Sequence, residues 1–248
     1  MFESIIKSKK KVFFWFRDDD GNVLNDKFKR LVEFFEVKKC TLLESVIPFN
    51  LDANIVDYIK MKDNIYIGQH GYTHIDYSID QYVKSELCSS RDIETVISEQ
   101  KIGNCILEEA FGEKYTHVYV PPFFEIEDII KNKLIGLGIY NAFSIWWRNS
   151  MINMDIPEIN VQIDFVDWNF EEEFAGERFV NSQIERELKG ICDNSCLDYG
   201  VIGIVLHHNL MCDDDYVYLS KLICEIFSCK NAEVITIYEA LALVKNMV

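Results

Sequence analysis

Short apolar runs alternate with longer segments of helical periodicity along the whole chain. In Asn25–Lys38, for example, Phe28, Leu31, Val32 and Phe35 fall on one helical face. Strands are predicted at Val12–Phe16, Thr41–Ile47, Asn64–Gly68, Val118–Val120, Tyr140–Trp147, Val161–Trp168, Val201–Leu206 and Val234–Ile237. Helices are predicted at Asn25–Lys38, Arg91–Ala110, Glu125–Leu137, Glu177–Cys192, Asp215–Ser228 and Tyr238–Lys245.

Seven or eight strands that alternate with helices are typical of βα units. For a chain of 248 residues this pattern predicts an α/β fold, a (β/α) barrel that is complete or incomplete, with a doubly wound open sheet as the alternative. No linker rich in Pro, Gly or Ser and no repeat interrupts it, so residues 1–248 are predicted to form a single catalytic domain. No GxGxxG or Walker loop follows a strand, which removes the usual nucleotide-binding motifs.

Candidate functional residues gather at or directly after the ends of five of the predicted strands. Strand ends of a (β/α) barrel share one rim, where such folds place their active sites, so segments far apart in sequence are expected to meet there. The five groups are Asp18-Asp19-Asp20, Gln69–His74, Pro121-Pro122-Phe123, Asp167-Trp168 and His207-His208.

The spacing of His70 and His74 indicates a metal site. On one helical turn, residues four apart face the same side and can bind one ion. The adjacent carboxylates of Asp18-Asp19-Asp20 repel one another, and a bound cation would relieve that repulsion. Two histidines and one carboxylate leave coordination positions open for water and substrate, and they suit zinc, iron or cobalt. The alternatives are unrelated surface histidines and aspartates that form a turn or cap a helix.

The remaining strand-end residues suggest acid–base chemistry and a pocket wall. A histidine in the pair His207-His208 could act as a general acid, because imidazole titrates near neutrality, or it could be a hydrogen-bonded core histidine. Asp167 could orient that imidazole, and Trp168 could line the pocket. The pair Trp146-Trp147 could stack on a sugar ring, although core packing is the stronger expectation for at least one of them.

Composition narrows the partners and the location. Apolar residues make up 49% of the chain, which excludes a disordered or fibrous protein. A net charge of −16 repels phosphate backbones, so we expect no nucleic-acid partner, whereas a neutral sugar is allowed. No run approaches the ~20 apolar residues of a membrane span, and none resembles a cleavable signal peptide. The 8 cysteines are expected to be free thiols, and the expected location is the cytoplasm.

These motifs, taken in order, resemble the polysaccharide deacetylase family, the carbohydrate esterases with a chitooligosaccharide-deacetylase homology domain. The resemblance extends from Phe16 to about Asp213, and it implies a distorted (β/α) barrel. The segment Phe16–Gly21 and the pair His207-His208 are most similar to a branch with Arg-x-Asp-Asp and Thr-His-His motifs. The matching residues are Asp19-Asp20, His70 and His74, Pro121-Pro122-Phe123, Asp167-Trp168 and Leu206-His207.

The resemblance implies a role for each matching residue. Asp19 is expected to be the catalytic base and His207 the catalytic acid, with Asp167 orienting the acid. The metal ligands are expected to be Asp20, His70 and His74, which bind one divalent ion, zinc being favoured over cobalt, iron or nickel. Residues expected to contact the substrate are Arg17, Tyr72, Pro121, Pro122, Phe123, Trp168 and His208.

One position departs from the family pattern. The family often has an arginine directly before the two prolines, where it pairs with the base, and this chain has Val120 there. Either Arg17 supplies that charge or the base is tuned differently.

The implied function is removal of an N-acetyl group from an amino sugar, in a saccharide or an activated sugar precursor. The alternatives are an O-acetyl esterase or other amide hydrolase of the same fold, and a catalytically silent carbohydrate-binding protein that keeps the metal site.

Overall fold

The structure is a computed structural model that describes residues 2–146, 156–168, 173–174 and 176–245. Its helices are α1 Glu3–Ser8, α2 Asp26–Lys38, α3 Ala53–Lys60, α4 Ile93–Phe111, α5 Asp128–Gly136, α6 Glu177–Asp193, α7 Asp213–Ser228 and α8 Ile237–Lys245. Its strands are β1 Lys11–Gly21, β2 Leu42–Val46, β3 Ile65–His70, β4 Tyr115–Val120, β5 Ala142–Phe143, β6 Val161–Asp164, β7 Val166–Asp167, β8 Glu173–Phe174, β9 Tyr199–Leu206 and β10 Ala232–Val234.

Eight of the strands form one parallel sheet, in which seven follow the order β5-β4-β3-β2-β1-β9-β6. Strand β10 pairs with the first half of β1, beside the stretch of β1 that pairs with β2. The sheet curls until its two end strands meet. There the backbone N–H of Val161 donates to Ile145 at 3.1 Å, and that of Ile159 donates to Phe143 at 2.8 Å. The predicted distorted (β/α) barrel is therefore confirmed. Strands β7 and β8 form a separate antiparallel pair.

Strand β1 is buried on both faces because alternate residues pack into different apolar clusters. Phe14 and Phe16 pack into the cluster that contains α2 and α7, where Phe16 contacts Phe35 with ring centroids 5.2 Å apart. Trp15 points the opposite way, into a cluster with Leu43 of β2 and residues of α8. The strand is thus fixed from both sides just before its acidic end.

The predicted and observed elements differ mainly where the chain is irregular. Helices α1 and α3 are too short to produce a clear periodicity. The predicted strand Tyr140–Trp147 is reduced to β5, and its last residue, Trp147, lies outside the described residues. The run Val161–Trp168 breaks at Phe165 into β6 and β7. Among the helices of the described ranges, none has the length and apolar character required to cross a bilayer.

Candidate active site

The acidic end of β1 and the ends of β3 and β9 open into one cavity of about 590 Å³. Parallel strands place their carboxyl ends at the same edge, which brings these sequence-distant groups together. The lining consists of Asp19, Asp20, His70, His74, Tyr82, Val83, Lys84, Phe123, Phe124, Glu125, Trp168, His207, Asn209 and Leu210.

The side chains of Asp20, His70 and His74 converge in this cavity. Nδ1 of His70 lies 3.0 Å from the carbonyl oxygen of Val120, and as a donor to that oxygen it leaves Nε2 free to face Asp20. Nε2 of His70 lies 3.3 Å from Oδ1 of Asp20, and Nε2 of His74 lies 3.1 Å from the same oxygen. One ligand atom from each residue falls within 4.8 Å of the others, so the three residues fit a single divalent ion.

The backbone that produces this convergence is not helical. His70 is the last residue of β3, and the chain then turns through left-handed conformations at Gly71 (φ +58°) and His74 (φ +57°). The prediction that the histidines share one helical turn is therefore wrong, although their predicted proximity is confirmed, with ring centroids 4.8 Å apart. Asp20 is also left-handed, at φ +73°.

Burial and nearby charges shift the pKa values of all three residues. Burial disfavours the Asp20 carboxylate, but a hydrogen bond from His70 and the positive charges nearby outweigh it and lower its pKa. Burial also disfavours the His70 imidazolium, yet Asp20 and Asp19 raise the pKa of that imidazole. Burial and the neighbouring His70 lower the pKa of His74 to about 4, so His74 is neutral at pH 7 and can offer its lone pair to an ion.

Asp19 is paired with Arg17, two residues earlier on the same strand. Nη2 of Arg17 donates to Oδ2 of Asp19 at 2.9 Å, while Nη1 donates to the carbonyl oxygen and the hydroxyl of Ser144. Burial disfavours the Asp19 carboxylate, but Arg17, His70 and His207 outweigh it and lower its pKa. Of the two alternatives for the absence of an arginine at position 120, this geometry matches the one in which Arg17 supplies the positive charge beside Asp19. Oδ1 of Asp19 has no hydrogen-bond partner among the described residues.

His207 follows β9 and faces Asp19, with 4.0 Å between its Nε2 and Oδ2 of Asp19. The ring of Trp168 stands edge-on to it at a centroid distance of 4.8 Å. Nε1 of Trp168 donates to Oδ2 of Asp164 at 2.8 Å. Burial raises the pKa of Asp164, whereas the charge of His207 favours its carboxylate form. Asp164 therefore holds Trp168 in place, and Trp168 in turn packs against His207.

Asp18, which precedes Asp19, and His208, which follows His207, do not line the cavity. Asp18 accepts two hydrogen bonds from His208, from its backbone N–H at 2.8 Å and from its Nδ1 at 2.6 Å. Burial lowers the pKa of His208, but the charge and hydrogen bond of Asp18 outweigh it, so the pKa is raised. Glu44 of β2 lies in the same buried cluster, where burial and the charge of Asp18 raise its pKa well above the usual value. This cluster ties the loop that carries His207 to the end of β1.

Solved structures resemble this chain in fold. The peptidoglycan deacetylase PdaC from Bacillus subtilis is 12% identical, with 97% of this chain and 94% of that chain covered and a TM-score of 0.57. A family 4 acetyl xylan esterase from Clostridium thermocellum, in complex with a cobalt ion, is 13% identical, with 93% and 91% covered and a TM-score of 0.57. The Puue allantoinase is 12% identical, with 96% and 92% covered and a TM-score of 0.72. The chain has the polysaccharide deacetylase fold. No protein-family model and no curated protein matches the sequence.

On this fold, only some of the residues expected to contact the substrate reach the cavity. Trp168 and Phe123 line it, and the Phe123 ring lies 4.5 Å from that of His74. Arg17 is fully buried and His208 is 1% exposed, so neither can contact a bound sugar directly. These two expectations are corrected: both residues bind carboxylates of β1 instead.

Three further residues that were expected to contact the substrate do not line the cavity. Pro121 and Pro122 are buried beneath the rim, and Tyr72 packs edge-on against Phe49 outside the cavity lining. Asp167 lines an adjacent cavity of about 510 Å³, which shares Phe123, Phe124, Glu125 and Trp168 with the first. Trp146 lines this second cavity as well. The role predicted for Asp167, orienting His207, stays a prediction.

Sequence reasoning missed several residues that organise the site. Asp164 precedes the noted pair Asp167-Trp168 by three positions, and attention to the whole segment would have included it. Ser144 and Glu86 stand in stretches without a recognisable pattern, and only the folded chain brings them to Arg17 and to the His74 loop.

Proposed function

We propose that this protein is a metal-dependent hydrolase that removes an N-acetyl group from a substrate containing an amino sugar. One observation carries the proposal. Three ligands that suit a divalent ion, Asp20, His70 and His74, line the same cavity as an acid–base pair, Asp19 and His207. Hydrolysis of an amide requires an activated water and protonation of the leaving amine, and this cavity contains groups for both tasks.

The carboxylate of Asp20 and the imidazoles of His70 and His74 suit a divalent transition metal of intermediate hardness, and zinc is favoured. One carboxylate oxygen and two imidazole nitrogens leave coordination positions open, and the bond from His70 to Val120 fixes the tautomer and orientation of that ligand. When bound, such an ion supplies Lewis acidity that lowers the pKa of a water and polarises a carbonyl oxygen.

Asp19 is suited to accept the proton of the attacking water. Its Oδ2 is held by Arg17, which leaves Oδ1 as a buried acceptor without a protein partner among the described residues. The low pKa that Arg17 helps to maintain keeps Asp19 ionised and able to take a proton at neutral pH. Arg17 therefore acts as a positioning residue for the base.

His207 is suited to protonate the leaving amine. It faces Asp19 across the cavity and lies against the Trp168 ring, which Asp164 holds through the indole N–H. The apolar surface of Trp168 provides a wall for an acetyl methyl group, and Phe123 offers a second aromatic surface for a sugar ring.

The proposal is tested by acetate release from a panel of N-acetylated and O-acetylated saccharides. We expect release from N-acetylated substrates that chelators abolish and that added zinc or cobalt restores. The matched control is His70→Ala, which removes one ligand and should stay inactive after zinc is added. Release only from O-acetylated sugars would favour the esterase alternative.

Two other outcomes identify the remaining alternatives. The panel includes allantoin, because the fold is shared with a protein named an allantoinase, and hydrolysis of allantoin alone would place the activity on another amide. Bound metal without turnover of any substrate would favour a silent carbohydrate-binding protein.

A further inference from the structure

The loop between the two candidate metal-binding histidines is held by one distant carboxylate. Beyond Gly71, the consecutive backbone N–H groups of residues 72, 73 and 74 all donate to Glu86. Oε1 of Glu86 accepts from Tyr72 at 2.8 Å and from Thr73 at 3.1 Å, and Oε2 accepts from His74 at 2.7 Å. Three successive N–H groups that converge on one anion form a backbone nest.

Glu86 is completely buried, so it cannot exchange these bonds for water. Nε2 of Gln100, on α4, lies 3.4 Å from its Oε1. A methyl group built on Gly71 would lie 2.5 Å from Oε2, which means that the loop backbone is packed directly against the carboxylate. Burying a carboxylate is costly unless donors surround it, and here the loop amides are those donors.

The segment that carries Glu86 is itself fixed to the rest of the fold. The backbone N–H of Tyr77 donates to Ser85, and that of Glu127 donates to Leu87, which also forms a β-bridge with Ile126. Glu86 therefore stands between two anchored neighbours, one of which, Leu87, is fixed by residues outside the loop that Glu86 binds.

We propose that Glu86 is a positioning residue for the metal site: its carboxylate fixes the backbone of residues 72–74 and so holds Nε2 of His74 beside Oδ1 of Asp20. This inference rests on the proposed metal-binding function. His74 has a left-handed backbone, and in this conformation its Nε2 lies 3.1 Å from Oδ1 of Asp20, so a released loop would cost metal affinity.

The two oxygens and the charge of Glu86 are both required. A glutamine would keep one carbonyl oxygen but would direct an NH₂ group at one of the loop N–H donors, because Oε1 and Oε2 both accept from the loop. An aspartate would keep the charge but would be one methylene too short to reach all three amides.

The test compares Glu86→Gln and Glu86→Asp with the control Asp215→Asn. Asp215 is also a buried carboxylate that accepts a backbone N–H, from Cys212 at 2.8 Å, but it lies on α7 outside the cavity lining. Zinc affinity is measured by competition with a chromophoric chelator, and amide hydrogen exchange at residues 72–74 is measured in the metal-free proteins.

We expect Glu86→Gln to weaken zinc binding by about 10- to 100-fold, the usual scale for removing a group that orients a ligand. Exchange at residues 72–74 should accelerate, Glu86→Asp should show a smaller effect of the same kind, and Asp215→Asn should leave zinc affinity within about 2-fold of the unaltered protein. If Glu86→Gln does not fold, Glu86→Asp carries the test alone.

Unchanged zinc affinity in a folded Glu86 variant, with affinity lost in His70→Ala, would overturn the positioning role and leave the metal site intact. Failure of the unaltered protein to bind zinc more tightly than His70→Ala would instead overturn the metal site, and the role of Glu86 with it.

Discussion

Two pairs of adjacent polar residues, one at the end of β1 and one after β9, have one member in the cavity and one in the buried interior. On β1, Asp19 lines the cavity while Asp18 faces the buried side, and after β9 the same division separates His207 from His208. Successive residues of an extended chain point to opposite faces, so two neighbours rarely reach the same atom. The two buried residues, Asp18 and His208, form hydrogen bonds with each other. These bonds fix the positions of the adjacent cavity-lining residues.

Asp19 and Asp20 both line the cavity, but their partners differ. Asp19 pairs with Arg17, whereas Asp20 faces the two histidines, so two isosteric changes should cause different losses. Asp20→Asn should lose zinc affinity, because Asp20 is the carboxylate in the candidate ligand set that it forms with His70 and His74, and the change removes its charge. Asp19→Asn should keep zinc but lose on the order of 10²-fold or more in rate, the usual scale for removing a general base. Zinc competition assays and steady-state rates on the same samples measure both effects.

The opposite pattern, with zinc lost in Asp19→Asn and kept in Asp20→Asn, would contradict the assignment of the two aspartates. Circular dichroism of both variants serves as the folding control. Both are expected to fold, since the amide oxygen introduced by Asp19→Asn could still accept a hydrogen bond from Arg17.

At the scale of elements, the site depends on a turn rather than on a helix. The strand β3 delivers His70 in an extended conformation, and the left-handed Gly71 redirects the chain so that His74 returns to the same point. Glycine is favoured at such a position because it has no Cβ. Here the space is also limited, since a Cβ on Gly71 would lie 2.4 Å from Cγ of Pro122. Pro122 therefore packs directly against the start of the loop between His70 and His74.

Gly71→Ala should consequently cost more stability than Gly138→Ala. Both glycines are left-handed, at φ +58° and φ +66°, so each alanine incurs a backbone cost of about 1–2 kcal/mol. Only Gly71→Ala adds a clash, because nothing lies within 4 Å of a Cβ built on Gly138. Denaturant unfolding of the metal-free proteins measures the difference, and zinc affinity should fall only in Gly71→Ala. Equal stability and equal affinity in the two variants would show that the loop adapts freely.

At the scale of the whole molecule, the candidate metal site joins strands β1 and β3, which β2 separates in the sheet. Asp20 belongs to β1 and His70 to β3, while His74 is held through Glu86 and α4. An ion bound there would contact the native arrangement and not the unfolded chain, so it should stabilise the fold as a whole.

Metal removal should therefore lower the melting temperature. At a free zinc concentration about 100 times Kd, linkage gives about 2.7 kcal/mol. For a domain of this size that corresponds to a shift of roughly 5–10 °C. Differential scanning calorimetry with zinc and with a chelator measures the shift, and His70→Ala should show none. Identical melting temperatures for the zinc-loaded and metal-free protein would exclude a site of useful affinity.

The sequence by itself determined the class of fold and the position of the chemistry. Apolar runs alternating with amphipathic segments require buried parallel strands covered by helices, and polar residues placed after those strands must then collect at one rim. The spacing of His70 and His74 and the acidic end of β1 indicated residues that do meet in one cavity.

Only the tertiary structure decided which neighbour faces the cavity and which residues hold the site. Glu86, Ser144 and Asp164 are brought to the site by long-range packing, and no local periodicity marks them. Arg17 follows this rule in part: Asp19, two residues later, lies on the same face of β1, but Ser144, which binds the other end of the guanidinium, comes from a distant segment. A sequence pattern records which side chains are buried along one element, whereas the pairing of buried polar groups depends on contacts between elements distant in the chain.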